Sequence, residues 1–156
     1  MGRGPATGID RVDQAYFTHF LDSDAELYGL IRTRIGFLVL DRAGLSTVCD
    51  DLLSAQDHSE TGAENVARHR RLIMRRLRRR AIARTPRWGI ARMIRRYLPD
   101  GVRYLNVAHA NLEPRIIDAV RSLPGGRAIA MIHDTIPLDL PDTINPKSGV
   151  RFRRFL

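Results

Sequence analysis

Apolar residues along this chain fall into two kinds of run. Short, mostly apolar runs of strand length stand at 27–33, 37–40, 102–107 and 128–132, and between them lie stretches whose apolar positions recur every three or four residues, as on one face of a helix. The run at 128–132 is followed by His133-Asp134-Thr135-Ile136-Pro137, the pattern of a buried strand that delivers polar groups to its end. The run at 102–107 leads into His109-Ala110-Asn111 and then into a helical stretch expected over 113–123, closed by Pro124-Gly125-Gly126. A strand, a helix and a second strand in this spacing predict a crossover connection and parallel pairing. In open α/β sheets, ligands bind beyond the carboxyl ends of such strands.

The helical periods place further elements. Thr7 is the expected N-cap of a first helix whose stripe is Val12, Ala15, Tyr16, His19 and Phe20, ending near Leu21. Gly44 is expected to open a helix over 45–53, and a polar link follows at 54–64. Val66, Ile73, Leu77 and Ala81 form one stripe, and Ile90, Met93, Ile94, Tyr97 and Leu98 form another. Pro86 breaks the chain between them. This predicts a pair of helices with arginine-coated outer faces, and a last helical stretch is expected at 148–156.

Composition narrows the picture. A chain of 156 residues that is 44% hydrophobic has room for one core. Cys49 is the single cysteine, so no internal disulfide forms, and the expectation is a reducing compartment. No run approaches the roughly 20 apolar residues that cross a bilayer, and the amino terminus lacks the apolar centre of a signal peptide. The expected location is therefore cytoplasmic, with peripheral contact at the inner face of the membrane through the arginine segment.

The formal charge of +9 is local in origin. Thirteen arginines and no acid lie from Arg68 to Arg96; setting these aside leaves 13 basic residues against 17 acidic ones, a net of −4. Two readings of the segment stay open. With 25 arginines and one lysine in the chain, solvated helix faces are one. The other is attraction to anionic lipid headgroups or a phosphate-bearing acceptor, with Arg75, Arg76, Arg78, Arg79 and Arg80 as the contacts. Nucleic acid is disfavoured, because Trp88 is the one aromatic in the run before Tyr97 and stacking platforms are lacking.

Familiar catalytic signatures are absent. The five histidines form no helical pair at i, i+4 and meet no cysteine cluster, so no metal site is expected. Neither a Gly-x-Ser-x-Gly elbow nor a phosphate-binding Gly-x-x-x-x-Gly-Lys loop occurs. Three polar positions remain. Gly8, at the head of a helix, lets backbone N–H groups approach an anion, although an ordinary capped helix would look the same. His109 and Asn111 follow a strand, where a histidine serves either as a structural hydrogen-bonder or as a ligand contact. His133 and Asp134 place imidazole and carboxylate side by side, where the imidazole can donate to a substrate hydroxyl or sugar oxygen and the carboxylate can orient a hydroxyl or hold the imidazole.

Thr-Gly-Ile-Asp-Arg-Val at 7–12, Tyr-Leu-Asn-Val-Ala-His-Ala-Asn-Leu at 104–112 and Ile-His-Asp-Thr-Ile-Pro-Leu-Asp at 132–139 together resemble the N-terminal half of bacterial family-4 glycosyltransferases. The resemblance follows the same order over nearly the whole chain, and its third motif is the most specific. It implies a GT-B enzyme, in which two Rossmann-like domains face each other across a cleft and the N-terminal one binds the sugar acceptor. By resemblance, His133 reaches the transferred sugar with Asp134 as its neighbour, Gly8 matches the glycine-led helix start near donor phosphates or acceptor, and His109 and Asn111 match a motif of unspecified role. The implied chemistry is retaining glycosyl transfer without metal or cofactor, from a nucleotide-sugar donor to a glycan or lipid-linked acceptor.

The chain departs from that family in two ways. Seven residues, none strand-like, precede Gly8, where the family has a strand. The expected fold class is thus α/β, a Rossmann-like parallel sheet with flanking helices that lacks its first strand and carries an arginine-rich helical insertion at about 65–98. The donor domain with its paired glutamates is also missing, so the chain alone is expected to transfer no sugar. The alternative is a non-catalytic basic module that binds anionic membrane or nucleic acid.

Overall fold

The computed structural model describes residues 8–47, 49, 63–107 and 113–132, with backbone alone for residues 8–10, 63–66, 69 and 70. In chain order the elements are α1 (Gly8–Asp22), β1 (Tyr28–Arg32), β2 (Gly36–Asp41), a helical segment α2 at 42–47, α3 (Ala63–Arg80), β3 (Ala83–Pro86), a 3-10 turn (Arg87–Gly89), α4 (Ile90–Tyr97), β4 (Arg103–Asn106), α5 (Pro114–Arg121) and β5 (Arg127–Ala130). The chain is a mixed α/β fold with two small sheets and flanking helices.

The first sheet is antiparallel in the order β1, β2, β3. Its direction follows from chain length: Thr33, Arg34 and Ile35 alone separate β1 from β2, whereas a parallel return needs a dozen or more residues. Thr33 closes the turn twice, its N–H donating to the Gly36 carbonyl at 2.7 Å and its hydroxyl to the same oxygen at 3.0 Å. Gly36 is required by its neighbour, since a Cβ there would stand 1.9 Å from the Thr85 carbonyl oxygen of β3.

β2 is buried along nearly its whole length, and its side chains sort by parity. Phe37 and Val39 enter a core with Ala83, the α4 residues Ile90, Met93 and Ile94, and the α5 residues Ile116, Ala119 and Val120. Leu38 and Leu40 enter a second core with Leu45 of α2 and Leu77 of α3, flanked by Phe17 and Leu21 of α1. An antiparallel sheet with helices on both faces gives its central strand the continuous apolar run of a fully buried strand.

The second sheet pairs β4 with β5 in parallel, from Arg103↔Arg127 to Asn106↔Ala130, with α5 in the connection. Here the expected strand, helix, strand unit is present, with each element shorter than the apolar run that announced it. At its amino end two glycines with positive φ, Gly101 at 73° and Gly125 at 67°, turn the chain back to back. The Gly101 N–H donates to the Pro124 carbonyl at 2.7 Å.

Three expectations need correction. The arginine segment is a helix, a strand and a helix, because 83–86 pairs with β2 and occupies the sheet edge between the two apolar stripes. Its second helix, α4, lays the expected stripe into the larger core, with Ile90, Met93 and Ile94 buried, while Arg92, Arg95 and Arg96 stay exposed. In α1, Ala15, Tyr16 and His19 of the expected stripe are exposed, and the helix is seated by Phe17 and Leu21, one turn apart. α2 begins at 42 rather than at Gly44: the Asp41 side chain accepts from the Gly44 N–H at 2.9 Å, as an N-cap does.

Candidate functional site at the carboxyl end of the parallel strands

Asn106 ends β4 and is buried. It shares a face of the strand with Tyr104, and its side-chain amide donates to the Tyr104 hydroxyl at 3.0 Å. The other amide atom, Oδ1, is enclosed and accepts no hydrogen bond. A buried acceptor in this state costs about 1–3 kcal/mol until a donor reaches it. A ligand hydroxyl or an ordered water fills such a place.

Glu113 caps the amino end of α5 and holds two arginines. Its carboxylate meets the Arg32 guanidinium at 3.0 Å and the Arg115 Nε at 3.2 Å. Arg32 ends β1, so this ion pair ties the antiparallel sheet to the start of α5. Glu113 needs no side-chain bond to the helix to cap it, because its carbonyl already accepts from the N–H groups of Ile116 and Ile117. Pro114 at the first helical position supplies a preset φ where an N–H would go unused. One carboxylate between two guanidiniums leaves the cluster with an excess positive charge.

The Tyr104 hydroxyl is pushed above its usual 10.0, first by burial and further by the nearby Glu113 charge, against the lowering effect of the Asn106 hydrogen bond. The phenol therefore stays protonated at neutral pH and serves as a hydrogen-bonding group. Tyr104, Asn106, Glu113, Arg32 and Arg115 together form a polar cluster at the carboxyl end of β4. Tyr104 and Asn106 lie within the motif at 104–112, and none of the five is among the residues expected to carry function. Two signals were available: Tyr104 and Asn106 are polar residues at i, i+2 inside an apolar run, and Glu113-Pro114 is a helix start.

Of the residues expected to carry function, Gly8 is the first residue of α1. His109 and Asn111, and His133 and Asp134, lie outside the described residues. The described strands nevertheless fix where their segments start. Asn106 and Ala130 are register partners, and the Met131 N–H donates to the Asn106 carbonyl at 2.9 Å. In the sequence His109 lies three residues beyond Asn106 and His133 three beyond Ala130.

The arginine candidates are on α3. Leu77 is buried, with Ile73 and Met74 packed beside it, while Arg75, Arg76, Arg78, Arg79 and Arg80 are all exposed. The helix thus shows one apolar stripe to β2 and arginines over the rest of its last two turns.

Among the described residues, no helix is long and apolar enough to cross a membrane. Comparison with protein-family models, with curated proteins and with solved structures finds no match to this chain.

Proposed function

We propose that the carboxyl edge of β4 and β5 is the acceptor side of a sugar-transferring enzyme of Rossmann-like, GT-B type, with a nucleotide sugar as donor and a glycan or lipid-linked sugar as acceptor. One observation carries the reading: β4 and β5 pair in parallel through α5 and end together at Asn106 and Ala130, and His109 and His133 each follow these ends by three residues in the sequence. That is the edge at which open α/β sheets receive ligands. The open acceptor of Asn106 adds support, because a polyhydroxyl ligand brings O–H donors to it.

In this reading His133 hydrogen-bonds the transferred sugar and Asp134 orients it, while Gly8, His109 and Asn111 bind substrate. Asn106 and Tyr104 support a sugar hydroxyl from below. Charge developing on the departing nucleotide diphosphate is met by donors of a facing domain.

Saturation-transfer NMR on the chain with methyl glucoside, methyl mannoside and methyl galactoside tests the reading. Transfer to at least one sugar is expected, and it should be lost in His133→Ala and Asn106→Leu. Absence of transfer to all three, or transfer unaffected by both substitutions, would overturn it.

A second reading, a basic module without catalysis, is favoured by the exposed arginines of α3. Serine at Arg75, Arg78 and Arg79 would abolish retention on an anionic surface in that case and leave sugar binding intact under the first reading.

A further inference from the structure

We infer that the turn end of the antiparallel sheet is a membrane-docking surface, in which Trp88 and Ile35 enter an anionic lipid interface and the arginines around them meet the headgroups. Trp88 is 86% exposed and Ile35 71% exposed, the two most exposed large apolar side chains among the described residues. They stand at the same end of the sheet. Ile35 lies in the β1–β2 turn, directly before Gly36; Trp88 follows Pro86, and Pro86 is the register partner of Gly36.

The local fold holds both outward. A Cβ on Gly89 would meet the Thr85 hydroxyl at 2.1 Å, so the 3-10 turn folds back onto β3 and the side chain before the glycine is left outside. The Arg87 guanidinium lies 3.5 Å from the Arg34 carbonyl, a weak contact that brings the two turns side by side. Among the described residues the indole meets no ring or hydrogen-bond partner, and an amphipathic ring of this kind suits the headgroup level of a bilayer.

Charge selects the lipid. Arg34 and Arg87 adjoin Ile35 and Trp88 in the chain, Arg84 and Arg92 lie within four residues of Trp88, and all four are exposed. No acid lies from Arg68 to Arg96 or in the β1–β2 turn. The neighbouring Glu113 is engaged by Arg32 and Arg115. The acids nearest the sheet's own strands, Glu26 and Asp41, stand at its opposite end beside Tyr28. An apolar tip with a cationic rim matches an anionic bilayer in both properties. The surface differs from the arginine row of α3 and stands whether or not the strand-end site binds sugar.

Trp88 is the only tryptophan in the chain, so its fluorescence reports on this surface alone. The chain is titrated with phosphatidylcholine vesicles, with vesicles that also contain phosphatidylglycerol, and with the latter carrying brominated acyl chains. A blue shift and quenching by brominated lipid are expected with phosphatidylglycerol and not with phosphatidylcholine alone. Ile35→Ser should raise the half-binding lipid concentration about tenfold. Arg34→Ser and Arg87→Ser should each raise it about fivefold. These side chains are exposed, and an unchanged circular dichroism spectrum establishes that each variant is folded. Serine at Arg75, Arg78 and Arg79 should leave Trp88 quenching at saturating lipid unchanged. The inference falls if anionic vesicles neither shift nor quench Trp88, or if quenching depends on the α3 arginines and not on Ile35. It falls equally if single-stranded DNA shifts the emission and vesicles do not, which would give the surface to nucleic acid.

Discussion

The two sheets differ in how completely they are covered. β2 has helices on both faces and is buried from Gly36 to Leu40, whereas β5 leaves three of its four residues exposed and Ile129 is 46% accessible. The antiparallel sheet joins strands through a tight turn and anchors three helices on one face and two on the other. The parallel pair has α5 against it and ends in a polar cluster with an open acceptor. Buried apolar contact is therefore concentrated on the first sheet, and the polar cluster lies at the end of the second.

Substitutions that remove core volume separate the two regions most strongly. Leu40→Ala or Ile94→Ala, at positions with no exposure, should cost about 2–5 kcal/mol in urea unfolding, whereas Ile129→Ala should cost under about 1 kcal/mol. Equal losses at Leu40 and Ile129 would erase the distinction.

Next in size is Gly36→Ala. The added methyl would press on the Thr85 carbonyl and the Pro86 Cα, and backbone on both strands must shift. A loss of about 1–3 kcal/mol is expected, measured by the same unfolding. Gly101→Ala would probe a different cause, since no atom crowds that position and only its positive φ resists a side chain.

At the strand-end site two effects oppose each other. Asn106→Leu removes a buried amide whose Oδ1 is unmatched but also the donor to the Tyr104 hydroxyl, so stability should change by under about 1 kcal/mol while the proposed sugar binding is lost. A large destabilisation would mean that Asn106 is structural.

Glu113→Gln should have a smaller effect, under about 1 kcal/mol, because both ion pairs are partly exposed. The difference from the parent chain should shrink as salt is added.

The smallest effect is expected at alkaline pH. The Tyr104 phenol ionises later in the folded chain than in the unfolded one. Its contribution is thus fully present below the ordinary value of 10.0 and is lost as pH rises from there through the raised folded value. Tyr104→Phe should flatten the fall in stability above that point, read from unfolding midpoints on either side of it.

Much of the fold was legible because the signals were local. The apolar runs marked β1, β2, β4 and β5, and the stripes marked α3 and α4 with Leu77, Ile90, Met93 and Ile94 as their buried positions. β3 was missed because Ala83-Arg84-Thr85-Pro86 has no apolar alternation; it is a strand because β2 offers it an edge. The seat of α1 was misplaced for a similar reason, as several faces of that helix carry apolar residues and the packing of Phe17 and Leu21 chose among them. The polar cluster was only partly visible: Tyr104 and Asn106 stood in a quoted motif, but Arg32 reaches Glu113 across more than half the chain.

The sequence by itself determined the number and type of most elements, the strand, helix, strand order of the second sheet, and the localisation of positive charge. These depend on near neighbours, through side-chain period, turn residues and composition. Only the tertiary structure decided that β3 pairs with β2, that β2 is buried on both faces, and that Ile35 and Trp88 share one end. Those facts rest on pairing between distant segments, where edge hydrogen bonds and shared buried surface outweigh local preference.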